Sequence, residues 1–148
     1  MSIYPSVLRF KRKYPMTLAF RLQKHAAVID KILDRDEKVL YSFCGQRNDD
    51  NRLLFESCVV AITNKRIIVG EKRIFGYLVI NVRPELFNDL KIRAGLIFGS
   101  IEIDTVKENI YISNLDKKSL DEIETMVHKI ISDLKKRLKD ENKNSQKD

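Results

Sequence analysis

Two cysteines, two histidines and one dense group of cations are the side chains of this 148-residue chain with chemistry to offer. Cys44 and Cys58 lack the CxxC spacing used in metal and redox sites, and two are too few for a disulfide scaffold. Each lies in a stretch rich in Val, Ile, Phe and Tyr, with no His beside it and no helix start to lower its pKa. Both therefore read as buried thiols rather than nucleophiles. His25 and His128 fall on helical patterns without a second ligand at metal-binding spacing, so they read as packing or surface histidines. The phosphate-cradling GxxxxGK[ST], the dinucleotide GxGxxG, the nucleophile elbow GxSxG and the zinc-binding HExxH do not occur. No catalytic residue, metal ligand, cofactor or small-molecule substrate is expected.

The cations are better candidates. Arg9, Lys11, Arg12 and Lys13 interleave with Phe10 and Tyr14, a mixture that suits an acidic lipid surface, where rings sit at headgroup level, and equally suits stacking on single-stranded bases. The net charge of +7 is concentrated there: residues 1–35 carry +6, residues 36–115 are neutral and residues 116–148 carry +1. A basic arm on a neutral body fits an anionic partner, and the competing reading is a solubilising tail. Elsewhere opposite charges dilute the cations. Arg47 and Arg52 are offset by Asp49 and Asp50 in one loop, and Glu71 stands among Lys65, Arg66, Lys72 and Arg73, so a tight phosphoinositide pocket is not expected.

The elements that must position these residues follow from periodicity. After Pro15, the residues Leu18, Leu22, Ala26, Ile29 and Leu33 recur at helical intervals, predicting an amphipathic helix over 16–33 behind a basic arm over 1–15. Its stripe packs on its own domain or supplies an oligomer contact through Leu18, Leu22 and Ile29. From residue 34 the text changes to β patterns: strands over 38–45, 52–63, 66–69 and 75–82, with the polar 46–51 as a hairpin loop. Leu90, Ile92, Ile101, Ile103, Ile110 and Ile112 then alternate with polar residues in three further strands, each wet on one face. Ser119 and Glu122 have capping-box spacing at the head of a last helix whose stripe runs from Leu120 through Ile123, Val127, Ile130 and Leu134 to Leu138. Residues 139–148 contain no hydrophobic side chain and are expected to be a disordered polar tail after a domain spanning 34–138. No apolar run approaches the about 18 residues of a membrane span, and no apolar block follows the first cations, so a cytoplasmic location is expected, with the inner face of the membrane within reach.

Seven short antiparallel strands and a closing helix have few arrangements, because a twisted meander leaves an open end to be plugged. In Leu33–Leu40, Val60–Val69 with its Thr63-Asn64-Lys65-Arg66 turn, Gly99–Ile103 and the Leu120–Ile131 helix, the text resembles the bacterial pleckstrin-homology-like family, YokE-like and GRAM-related. The resemblance implies a partly open barrel of two sheets capped by the last helix, no catalytic role, and binding or assembly with self-association. The function expected is a non-enzymatic module contacting a protein partner or further copies of itself. A membrane-surface adaptor using Arg9, Lys11, Arg12 and Lys13 is the alternative, and a nucleic-acid-associated protein using the same arm is the third reading.

Overall fold

A computed structural model describes residues 2–48 and 55–147. Two helices, α1 (Tyr4–Lys13) and α2 (Leu22–Asp30), precede seven strands: β1 (Val39–Asn48), β2 (Glu56–Thr63), β3 (Ile67–Lys72), β4 (Tyr77–Val82), β5 (Phe87–Ala94), β6 (Phe98–Thr105) and β7 (Asn109–Asp116). Helix α3 (Leu120–Lys147) is the last described element. All neighbouring strands run antiparallel, in the order β4-β3-β2-β1-β7-β6-β5. The implied two sheets are thus one continuous sheet, joined where Gln46–Asn48 of β1 pairs with β7. Gly45 stands at that junction because a Cβ there would lie 2.6 Å from Ile112 Cγ2 and 3.0 Å from Leu115 Cδ2.

The burial pattern differs between the two halves of the sheet. Along β5 and β6 the inward residues Leu90, Ile101 and Ile103 alternate with wetter positions, as in a sheet covered on one face. In β2 and β3 burial is unbroken from Cys58 to Thr63 and from Ile67 to Glu71. Both faces are covered there, since α1 packs against β1, and α2 against β2 and β3. Phe10 of α1 meets the Phe43 ring at 5.9 Å, and Ser6 Oγ lies 2.5 Å from Ser42 Oγ. Ile29 of α2 is fully buried, and its Cγ1 occupies the place where a Cβ on Gly70 would stand, 2.6 Å away. Burial of an isoleucine contributes about 1.5–3 kcal/mol, so this contact anchors α2 firmly.

The residues expected to form a basic arm are therefore a docked helix. Pro5 occupies the first turn of α1, where its missing N–H costs nothing, and Lys11, Arg12 and Lys13 fill the last turn, where cations oppose the negative end of the helix dipole. Asp30, the last residue of α2, accepts from Ser2 Oγ and Ile3 N at the head of α1, binding the two helices together.

The helix expected over 16–33 is only its second half. Residues 14–21 form an irregular link held by backbone bonds that a helix would have used internally: Leu18 N donates to Asn114 O, Phe20 N to Ser57 Oγ and Met16 N to Asp116 Oδ2. Arg21 then begins α2 in the left-handed region, with φ of 56°.

The last helix also differs at both ends. Ser119 donates to Asp116 O, and Glu122 turns toward Lys13 and Tyr41, so the capping box is not formed; Asp116 instead accepts from Lys118 N. Residues 139–147, expected to be disordered, continue α3 as an exposed overhang, built of Lys, Glu, Gln and other residues whose helical backbone bonds need no apolar partner. Val127, Ile123 and Leu120 of α3 are buried, the last against Gly99, so the expected plug is in place. Residues 49–51 of the expected loop and 52–54 of the expected second strand lie outside the described residues.

Close packing of α2 on β3 has a measurable signature. Gly70→Ala is expected to cost about 1–3 kcal/mol by overpacking Ile29, and less than half of that in an Ile29→Ala background. Urea unfolding of the four variants measures the coupling, and equal costs in the two backgrounds would contradict the contact.

Candidate functional site

The Thr63–Arg66 turn joins two of the four segments that carried the family resemblance. Thr63 Oγ1 accepts from Lys65 N and Arg66 N, closing the turn, and donates to Glu37 Oε2 at 2.6 Å. Arg66 reaches the same carboxylate with Nε at 3.0 Å and Nη2 at 2.8 Å, and also donates to Ile32 O and Asn81 Oδ1. Lys65 pairs with Asp34 and Asp36, while Asn64 exchanges two hydrogen bonds with the Lys38 backbone. Burial would push the Glu37 carboxyl up, but the bonds from Arg66, Thr63 and the Asp34 amide outweigh it and hold it at about 2. These cations are thus consumed in a clasp between the chain entering β1 and the β2–β3 turn.

Residues 33–129, from this clasp into α3, match the family model described as the bacterial PH domain. The chain belongs to that family. No curated protein matches it. The match begins after α2, so in this bacterial PH domain the two N-terminal helices are additions to the matched region.

The thiols of the bacterial PH domain are inaccessible. Cys44 and Cys58 are fully buried, and the register sets Cys44 opposite Val59 and Gly45 opposite Cys58, so the sulfurs belong to staggered positions. Burial pushes the Cys44 thiol up to about 12 and Cys58 well above its ordinary value, the latter also through nearby Glu71. His25 is buried, with Nδ1 accepting from Lys72 N at 2.8 Å, and burial followed by nearby Arg21 lowers its pKa, keeping it neutral. His128 is on the exposed side of α3. Among the described residues, no three or more His, Cys, Asp or Glu side chains converge as a metal site.

The four expected anion-binding cations lie along one helix but not as one free cluster. Lys13 is held at 2.5 Å by Glu122, and Lys11 Nζ donates to Pro15 O. Arg9 and Arg12 are exposed without a side-chain partner among the described residues. Of the expected oligomer contacts, Leu18 is exposed, Leu22 half-buried, and Ile29 committed to the core, which removes it from any surface. Arg47, read as a loop cation, is buried and paired with Glu71, whose carboxyl is pushed up by burial against the opposing pull of Arg47.

The sequence reading missed the exposed apolar tips. Ile74 and Phe75 on the β3–β4 turn, and Leu96 and Ile97 on the β5–β6 turn, face outward. The signal was present for Leu96 and Ile97, which lie in a turn, where polar residues are the rule, whereas Phe75 read as the first residue of the strand over 75–82. No helix among the described residues is long and apolar enough to cross a membrane.

The clasp predicts a pH dependence. With Glu37 at about 2 in the folded state against an ordinary 4.5, its stabilisation is complete above about 4.5 and is lost as the pH falls toward 2. Glu37→Gln is expected to cost about 3 kcal/mol at neutral pH and to flatten the acid limb of stability, as measured by urea unfolding at several pH values. An unchanged acid limb would show that Glu37 is not held this way.

Proposed function

We propose that this bacterial PH domain is a non-enzymatic interaction module that self-associates and binds a protein partner. The observation supporting it is the open margin of the sheet. Among the described residues β5 pairs only with β6, and β4 only with β3, so each has one side without a described strand. Helix α3 guards the start of β5, with Lys135 Nζ donating to Phe87 O, but Lys91–Ala94 is exposed. Ile92 lies within that stretch, and Leu96, 94% exposed, follows in the next turn. An unpaired strand edge beside apolar side chains is a template for another chain, and Lys91 and Arg93 limit promiscuous pairing. Leu18, with Met16 exposed nearby in sequence and Leu22 behind it, is a second apolar surface available to a partner.

A second reading, contact with an anionic partner through Arg9, Lys11, Arg12 and Lys13, draws support from the outward placement of Arg9 and Arg12 on α1. Arg9→Ala with Arg12→Ala is expected to leave melting unchanged, because neither side chain touches the core, and to weaken binding to a polyanion in a salt-dependent manner. A lowered melting temperature would make the pair structural instead.

Light scattering tests self-association. The chain is expected at a multiple of 17.3 kDa, and the double variant Ile92→Lys, Leu96→Asp at 17.3 kDa with unchanged melting. A wild-type particle of 17.3 kDa at every concentration would refute this reading.

A further inference from the structure

We infer that the groove between α2 and β4 receives an acidic amphipathic helix of a partner protein. The strand register settles which face of β4 is involved. Gly70 faces α2, since a Cβ there would lie 2.6 Å from Ile29 Cγ1, and Gly70 pairs directly with Val79. Directly opposed residues share a face, so Tyr77, Val79 and Asn81, opposite Lys72, Gly70 and Ile68, all belong to the side that carries α2. On that side Ser42, in one row with Ala61, Ile68 and Asn81, meets Ser6 of α1. Helix α2 packs on β2 and β3 and touches β4 only lightly. The helical layer thus stops short of β4, leaving Tyr77 64% exposed and Val79 half-buried.

A groove of about 330 Å³ lies where the layer stops. Its apolar lining is Ala27, Val28 and Ile32 with the Tyr77 ring of β4, and its polar lining is three lysines, Lys24, Lys31 and Lys72. No acidic residue lines it. Lys24 and Lys31 are exposed without a side-chain partner among the described residues, and Lys72 Nζ reaches only Gly76 O, at 3.2 Å. The acids beside these lysines in sequence are engaged elsewhere: Asp30 holds the head of α1, and Glu71 is buried with Arg47. The bond from Lys72 N to His25 Nδ1 fixes β3 to α2 at the groove. Five of the lining residues precede residue 33, so the added helix α2 creates this site and the matched family region does not contain it.

Charge and spacing together select the occupant. A further helix beside α2, at the usual spacing of about 8–10 Å, continues the layer over β4. From Tyr77 to Asn81 the strand offers about 13 Å, some two and a half helical turns. Lys24 and Lys31 stand one heptad apart, about 10.5 Å along α2. A partner helix that turns an apolar stripe to Ala27, Val28 and Ile32 therefore meets both ammonium groups when carboxylates flank the stripe at seven-residue spacing. Three lysines without an acid repel a basic helix, and the apolar lining gives nothing to a polyanion that lacks apolar side chains. Such docking is one case of the partner binding proposed above, and it is separate from self-association at the β5 margin.

The probe is a synthetic helix of about 20 residues built on alanine, with leucine along one face and glutamate on both sides of it, beside a control in which lysine replaces every glutamate. In amide correlation spectra of the isotope-labelled full chain, the glutamate peptide is expected to shift the amides of Lys24–Ile32 and Tyr77–Asn81 with a submillimolar Kd, and the lysine peptide to leave them in place. Lys24→Glu, Lys31→Glu and Lys72→Glu together are expected to weaken the glutamate peptide about tenfold or more at unchanged melting and to admit the lysine peptide. Tyr77→Ala should weaken the glutamate peptide too. Silence of these amides at millimolar peptide, equal binding of the two peptides, or binding indifferent to the charge reversal would overturn the inference. A peptide bound in extended form would overturn it by making the site a strand edge, and loss of oligomeric mass in the reversed variant by making it a contact between copies. A monomeric chain that still binds the glutamate peptide at these amides would refute self-association and leave the groove assigned.

Discussion

Everything in this molecule depends on covering both faces of the first three strands. Cys58–Thr63 and Ile67–Gly70 present apolar side chains in two directions, and a strand covered on one side only would leave half of them in water. Helices α1 and α2 supply that second cover, through Phe10 on Phe43, Ser6 on Ser42 and Ile29 in the space left by Gly70. The bacterial PH region, matched from residue 33, thus shares its core with chain that precedes it.

This arrangement also disposes of most of the charge. A run of cations at the N-terminus looks like an arm held out to a partner, but in α1 it compensates a helix dipole, and Lys13 ties α1 to α3 through Glu122. The Lys65 and Arg66 pair closes the clasp with Asp34, Asp36 and Glu37. The Arg47–Glu71 pair is buried between strands. Arg9 and Arg12, by contrast, stay exposed on α1, so net charge alone overstates the cations left without a partner in the fold.

The number and succession of the strands were legible because alternation in β5, β6 and β7, and turn residues around Asn64 and Gly95, report local physics, whereas the pairing of β1 with β7 is long-range and was not. The closing helix was legible for the same reason, its stripe from Leu120 to Leu134 being strictly periodic. The N-terminal helices were read poorly. Leu18 and Leu22 have helical spacing, but Leu18 hydrogen-bonds to Asn114 across the fold, a long-range bond that no local pattern contains. The unbroken burial of β2 and β3 was the overlooked clue, since the run Cys58–Ile62 without alternation calls for a second covering layer. The Glu37–Arg66 contact joins residues 29 positions apart and was equally invisible, although its two ends carried the family resemblance. Of the apolar turns, Leu96 and Ile97 stood between two glycines in plain view, whereas Phe75 was hidden because its ring reads as strand and β4 begins only at Tyr77.

Native-state hydrogen exchange over the full chain tests the shared core most directly. If α1 and α2 are the second layer of the sheet, amides of Val7, Phe10, Ala26 and Ile29 exchange with the same opening free energy, and the same denaturant dependence, as those of Val59–Ile62 and Ile67–Val69. Exchange of the helix amides through a low-energy opening that leaves the strand amides protected would show that the helices are only laid on a finished domain, and would contradict this account.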